Sequence, residues 1–310
     1  MSLKRTVKNM KVVVGTRGSK LALTQTEWVV NQLRGCNPEV EFEIKIIKTK
    51  GDLIQNVPLD KIGDKGLFVK EIEQQLLDGE IDLAIHSMKD MPSEVCPGLA
   101  FTYTPVREDA RDVLVLKHPI KSLEELPQGA TIGTGSKRRK YQLLNARPDL
   151  NIVPIRGNID TRISKIETEN LDGVVLAAAG IKRIGREEEI GYYIPVEIVL
   201  PAPAQGALAI EIRENDEKIY DLIRPIEDRL SQMQIEAERA FLDGVEGSCH
   251  LPIGAYAELE EERMKLTCLL GDEEGVKMVK EILYRACTTV EEARNLGYEA
   301  AKVILEKLQA

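Results

Sequence analysis

The stretch on which the fold turns is Ile81-Asp82-Leu83-Ala84-Ile85-His86-Ser87-Met88-Lys89-Asp90-Met91-Pro92. Ile81 to Ile85 is a short apolar run and reads as a buried strand. Its carboxyl end passes directly into the charged pair Lys89-Asp90 and is closed by Pro92. Strands that alternate with helices form sheets whose ligands bind beyond the carboxyl ends of the strands. The pair therefore stands where such a fold would do its chemistry.

The surrounding residues carry the same pattern. Upstream, Leu67 to Leu77 is a helix with Phe68, Ile72 and Leu76 on one face and Gly79 as its stop. Val12 to Val14 is a strand ending at Gly15, and Ser19 caps a helix through about Leu33, stopped at Gly35. Phe42, Ile44 and Ile46 alternate with Glu41, Glu43 and Lys45, the period of a strand. Downstream, strands at 113–116, 131–133, 152–155 and 174–178 alternate with helices at 137–144 and 161–168, and Ser122 to Glu125 has the spacing of a capping box. Two parallel sheets, each with helices on both faces, are expected.

Pro201-Ala-Pro-Ala-Gln-Gly206 interrupts the alternation as a crossing segment, and Ala207 to Ile212 is a strand that can return to the first sheet. The last third changes character: strands at 253–259, 264–270 and 276–284 precede a helix from about Val290 to Leu308. The fold class is α/β, with two α/β domains and a small C-terminal β-β-β-α domain. The boundaries are 1–106 with 206–226, 107–205, and 227–310.

At 310 residues, two or three domains are the natural expectation. With 42 Lys and Arg against 51 Asp and Glu the net charge is -9, which argues against a protein that coats nucleic acid. Aromatic residues are 4%, too few to give stacking platforms for single strands. No apolar run reaches a membrane span, and the N-terminus lacks the apolar core of a secretory signal. Five cysteines without C-x-x-C spacing point to a reducing cytoplasm, and three histidines make a metal centre improbable.

Basic residues recur where strands meet helices: Arg17, Lys61, Lys65, Lys89, Arg107, Arg111, Arg138, Arg139, Arg156, Arg162 and Arg183. In a chain of negative net charge they suggest a cationic cleft for a small polyanion, held by guanidinium–carboxylate or guanidinium–phosphate pairs. Gly133-Thr-Gly-Ser-Lys-Arg-Arg139 fails the dinucleotide fingerprint, because Arg138 stands at the third glycine. Asp90 reads either as a turn former before Pro92 or as a carboxylate that serves as acid, base or cation stabiliser, ionised by Lys89 and nearby arginines. Asp52 has the same two readings. Cys249, between Gly247 and Pro252 and outside any periodic run, is either a packing residue or a nucleophile.

The chain resembles the porphobilinogen deaminase (hydroxymethylbilane synthase) family. The matching stretches run in order from Thr16-Arg-Gly-Ser-Lys-Leu-Ala-Leu23 through Thr49-Lys-Gly-Asp52, Lys65-Gly-Leu-Phe-Val-Lys-Glu71, His86 to Pro92, Arg107-Glu-Asp-Ala-Arg-Asp112 and Gly133 to Arg139. They continue with Arg156-Gly-Asn158, Thr161-Arg162, Leu200-Pro-Ala202, Gln205-Gly-Ala207 and Gly247-Ser-Cys249. The resemblance implies two periplasmic-binding-protein-like α/β domains and a third carrying the cysteine. It implies head-to-tail condensation of four porphobilinogen molecules with loss of ammonia, on a dipyrromethane cofactor thioether-linked to Cys249.

By the same resemblance, Asp90 and Lys89 are catalytic. Arg17, Ser19, Asp52, Lys61, Lys65, Phe68, Arg138, Arg139, Arg156, Arg162 and Arg183 bind cofactor or substrate, with Lys61, Lys65 and Phe68 on a mobile loop over the site. A growing pyrrole chain is a polycarboxylate, which suits a row of arginines. An ionised carboxylate suits the cation left when porphobilinogen loses ammonia. The chain departs from the family's usual pattern at Lys20, Gly135, Lys137 and Ser248. The expected protein is a cytoplasmic monomer that takes porphobilinogen and has no nucleic-acid, membrane or metal partner. The competing reading is a non-catalytic two-lobed binder of a small polyanion.

Overall fold

β1 (Met10–Arg17) buries Val12 and Val14 within the first sheet of a computed structural model that describes residues 10–49, 69–246 and 251–309. β1 pairs in parallel with β2 (Val40–Ile47) and with β3 (Leu83–Ser87). Ser19 caps α1 (Lys20–Cys36), its Oγ accepting from the Ala22 N–H at 3.2 Å. The helix lays Val29, Val30 and Leu33 against Val12, Val14, Leu83 and Ile85. α2 (Lys70–Leu77) covers the opposite face, with Ile72 and Leu76 against Ile47 and Ile81.

This two-sided cover corrects the reading of β2. Val40 and Phe42 are buried as the alternation requires, but Ile46 is 56% exposed and Ile47 is buried instead. Even-numbered residues face α1, which covers only the start of the strand. Ile47 belongs to the face that α2 covers at its end.

β4 (Leu99–Phe101) completes the first lobe before the chain crosses to the second. That lobe holds β5 (Asp112–Leu116), β6 (Thr131–Gly133), α3 (Lys137–Ala146), β7 (Asn151–Val153), α4 (Ile159–Thr168), β8 (Gly173–Ala177), α5 (Ala178–Arg183) and β9 (Ile190–Tyr193). Residues 194–207 then return to β10 (Leu208–Arg213) in the first sheet. The strand orders are β2-β1-β3-β10-β4 and β7-β6-β8-β5-β9. In each sheet four of the five strands run one way, and the reversed one, antiparallel to both neighbours (β10 and β5), is the one whose chain arrives from the other lobe. The lobes thus match in strand order; the second is one continuous run, β5 to β9, and β10 returns to complete the first. The sheets are mixed rather than parallel, because a crossing chain enters from the end opposite to a helix-fed strand. This is a two-lobed, periplasmic-binding-protein-like α/β architecture.

Ser122 to Glu125 gives only one 3-10 turn, with no side-chain bond at the cap; Glu125 Oε2 instead accepts from the Lys121 N–H at 3.1 Å. After β10 come α6 (Glu217–Ile223) and α7 (Arg229–Gly244), neither of which the periodic reading identified. A three-stranded antiparallel sheet follows, β11 (Ile253–Glu260), β12 (Arg263–Gly271) and β13 (Met278–Ala286), then α8 (Val290–Gln309). α7 and α8 pack closely at Gly297, where a Cβ would come within 2.3 Å of the Ala237 carbonyl oxygen. Phe241, Leu266, Cys268, Leu296 and Ile304 form the core of this third body. Among the described residues no helix is long and apolar enough to cross a membrane.

Candidate active site

The cationic residues read from the sequence sit where the two lobes present the carboxyl ends of their strands. Arg17 ends β1, and Ser19 caps the helix behind it. Lys89 and Asp90 lie in a 3-10 turn (Met88–Asp90) at the exit of β3. In the second lobe Arg138 and Arg139 open α3 beyond β6, Arg156 follows β7, Arg162 is in α4 and Arg183 ends α5. The chain forms these helix starts with its own oxygens: Ser136 Oγ accepts from the Arg139 N–H at 3.4 Å, and Asn158 Oδ1 from the Thr161 N–H at 2.9 Å. Asp52, Lys61, Lys65, Phe68 and Cys249 lie outside the described residues.

Electrostatics joins the lobes. Burial lowers the Arg162 pKa to about 10, Arg139 and Arg156 push it the same way, and Asp90 from the first lobe opposes them. Burial also lowers Lys89 to about 8; Asp90 and Asp112 oppose this, while Arg139 and Arg138 add to it. Arg183 falls to about 10, mainly through burial, and its Nη2 donates to the Gly206 carbonyl at 2.7 Å. Asp90 itself is exposed at the mouth of the cluster.

Arg138 and Arg139 do something the sequence reading did not anticipate. Both are nearly buried, 5% and 6% exposed, around the fully buried Asp112 at the start of β5. Arg138 Nη1 donates to Asp112 Oδ2 at 2.6 Å and to the Leu200 carbonyl at 2.6 Å. Arg139 gives Nε and Nη2 to Asp112 Oδ1 at 3.0 and 2.7 Å, and Nη1 to the Val175 carbonyl at 3.0 Å. Burial by itself would raise the Asp112 pKa, but the two guanidiniums hold it well below the usual carboxylate range. One carboxylate compensates one of two cations, so the cluster keeps a net positive charge beneath the cleft. Among the described residues Nε and Nη2 of Arg138 have no acceptor, and Arg156 makes no hydrogen bond.

Two residues of this network, Asp112 and Gln205, were not picked out as functional. Each lies in a stretch that carries the family resemblance, Arg107-Glu-Asp-Ala-Arg-Asp112 and Gln205-Gly-Ala207. His86, by contrast, points away from the cleft: it is buried, with Nε2 3.2 Å from Glu211 Oε2 of β10.

The sequence model described as "Porphobilinogen deaminase, dipyromethane cofactor binding domain" matches residues 12–221. The one described as "Porphobilinogen deaminase, C-terminal domain" matches residues 232–306. The chain belongs to the porphobilinogen deaminase family. It is 60% identical over 300 residues to porphobilinogen deaminase of Clostridioides difficile (strain 630), covering 97% of this chain and 99% of that one. To the enzyme of Clostridium novyi (strain NT) it is 56% identical over 302 residues, covering 96% and 100%. A solved structure of a probable amino-acid ABC transporter extracellular-binding protein from Bacillus subtilis superposes with a TM-score of 0.43 at 13% identity, over 71% of this chain and 90% of that one, a likeness too loose to carry weight.

As a porphobilinogen deaminase the chain is a transferase, a hydroxymethylbilane synthase that joins four porphobilinogen molecules head to tail with loss of ammonia. The reading as a binder without catalysis is not favoured. The family's dipyrromethane cofactor fits the residues present. A dipyrrole carrying acetate and propionate groups is a tetra-anion, and the cleft offers a cluster of arginines that repel one another, with guanidinium nitrogens lacking acceptors within the described chain.

Proposed function

We propose that Asp90 is the carboxylate that serves the condensation, with Lys89 and the arginines of the second lobe holding the acidic side chains of porphobilinogen against it. The carrying observation is electrostatic: Asp90 of the first lobe lies within the field of Arg162 of the second, beside Arg139 and Arg156. An exposed carboxylate at a strand exit, facing a cationic wall, stabilises positive charge that develops on a pyrrole and accepts or returns its N–H proton. Arg156 and Arg162, with Arg138 Nε and Nη2, are left to pair with acetate and propionate groups. Lys89 adds a point charge on the opposite lobe.

The dipyrromethane, attached in this reading through Cys249, supplies a covalently held primer for chain growth. Arg17, Ser19 and Arg183 complete the described part of its seat, and Asp52, Lys61, Lys65 and Phe68 are assigned to it by the family resemblance alone. The division into 1–106 with 206–226, 107–205 and 227–310 is supported by the return of β10 to the first sheet and by the separate sheet of β11 to β13. A cytoplasmic, monomeric enzyme without nucleic-acid or membrane partners completes the reading.

The test is Asp90→Asn, followed by single-turnover release of ammonia from porphobilinogen. The expected outcome is a loss of roughly 10²-fold or more, the usual effect of removing a transition-state electrostatic partner, with unchanged thermal unfolding. Turnover near the wild-type rate would remove Asp90 from the reaction.

A further inference from the structure

Gln205 lies on the second crossing segment, fully buried, between the two lobes. Its Nε2 donates to the Ala110 carbonyl at 2.7 Å and to Asp112 Oδ1 at 2.9 Å. Both amide hydrogens are thereby assigned, so the side chain has one orientation and its oxygen points the other way. There Lys89 Nζ donates to Oε1 at 3.3 Å. The backbone is held as firmly: the Gln205 carbonyl accepts from Arg107 Nε at 2.9 Å, and its N–H donates to the Ala202 carbonyl at 2.9 Å. One neutral side chain therefore links the ammonium beside Asp90 in the first lobe to the carboxylate that organises Arg138 and Arg139 in the second.

We infer that Gln205 is a positioning residue for the condensation, fixing the Lys89 ammonium beside Asp90 while leaving its charge free for a substrate carboxylate. The inference rests on the placement of Lys89 and Asp90 in the active cleft proposed above. The choice of an amide follows from the neighbours. A carboxylate at 205 would face Asp112 without a hydrogen to share and would neutralise Lys89. An apolar residue would leave both the Lys89 ammonium and one Asp112 lone pair without a partner. The charged groups facing Lys89 are Asp90 next to it, Asp112 from β5, and Arg138 and Arg139 from α3. The first two favour its protonated form, and the arginines and burial disfavour it. Burial prevails among these, and the Gln205 oxygen is the neutral acceptor that touches the ammonium and favours its charged form.

Two variants test this, Gln205→Met, which keeps the bulk and removes the acceptor, and Gln205→Glu, which keeps the shape and adds charge. The readout is the pH dependence of acetic-anhydride labelling of Lys89, followed by peptide mass spectrometry on the full chain, alongside the pH profile of kcat/KM. In the Met variant the labelling midpoint falls by about one pH unit, the scale of one hydrogen bond to a charged group. In the Glu variant it rises by about the same amount. The alkaline limb of kcat/KM moves with it, and the effect of Gln205→Met on kcat/KM vanishes in a Lys89→Met background. Should one variant misfold, the other decides. An unchanged Lys89 midpoint in a folded variant, or full additivity with Lys89→Met, overturns the inference. A normal rate for Lys89→Met itself would instead overturn the catalytic placement of Lys89, and the labelling shift would stand apart from it.

Discussion

Glu238 of α7 grips the Arg107 guanidinium at two points, Oε1 accepting from Nη1 at 2.7 Å and Oε2 from Nη2 at 2.9 Å. The same carboxylate accepts from the Ala204 N–H at 2.6 Å and the Ala257 N–H at 2.8 Å. It is fully buried, and its four donors come from the first crossing segment, the second crossing segment and β11. The third body is thus anchored to both strands of the hinge by one side chain. Gly206 lies in the same joint, with φ of 92° and a Cβ position only 2.3 Å from the Glu108 carbonyl oxygen.

Glu238→Gln should therefore destabilise the whole chain. The amide turns an N–H toward at least one of these donors and leaves Arg107 without its bidentate partner. Breaking a buried pair from one side costs about 3–5 kcal/mol. Urea unfolding should show the loss, together with faster proteolysis near residues 201–206. A midpoint within error of wild type would mean that the joint is held by other contacts.

Asp112→Asn should produce a comparable loss, about 3 kcal/mol or more, because two buried guanidiniums then share no carboxylate. The pH dependence has a definite sign. Asp112 binds its proton more weakly folded than unfolded, so its stabilisation is fully present above the ordinary carboxylate pKa and is lost only as pH falls below it, toward the depressed folded value. The wild type should thus hold an advantage over Asp112→Asn at pH 5 and above that shrinks below about pH 4. Parallel curves across that range would contradict the assignment.

Arg162→Leu should behave oppositely. The Arg162 cation is disfavoured by burial and by Arg139 and Arg156, and its one described hydrogen bond runs from Nε to the Gly157 carbonyl at 2.8 Å. Removing it should leave the thermal midpoint of cofactor-free protein unchanged or slightly raised. The kcat/KM for porphobilinogen should drop by roughly 10-fold or more, as for loss of a charge-assisted carboxylate pair. A large loss of stability would make Arg162 a structural residue.

Lys89 should limit activity in alkali. Its folded pKa is about 8, below the ordinary lysine value. The ammonium is disfavoured in the fold, so this group lowers stability below pH 8, and that deficit disappears as pH rises toward the unfolded value near 10.4. A reaction that needs the charge should lose kcat/KM above pH 8. In Lys89→Arg, which stays protonated, the alkaline limb should move out of that range even if the rate is lower.

Much of the site was legible because it follows local rules. The strand of Leu83 and Ile85, its exit into Lys89-Asp90, and the caps at Ser19 and Ser136 all depend on residues a few positions apart. The arginines could be placed at strand ends for the same reason. What could not be read depends on distant partners. Gln205 meets Asp112 across 93 residues, Glu238 meets Arg107 across 131, and β10 pairs with β3 only after the chain has built the second lobe. Sequence periodicity has no term for such pairings, so two arginines expected to meet only ligand were found around a carboxylate of the chain. α7 was missed for a different reason: Met233, Ala237 and Phe241 carry a clear four-residue spacing, and Asp228 caps it.

A cationic cleft built around a permanent dipyrromethane primer requires a covalent adduct on the chain. The most direct test is the intact mass of the purified protein before and after incubation with porphobilinogen, compared with Cys249→Ser. The wild type should carry an excess equal to two condensed porphobilinogen units, present as isolated or acquired on incubation, and the variant should lack it. A wild-type mass equal to the bare chain after incubation, or the same excess on Cys249→Ser, would contradict that primer.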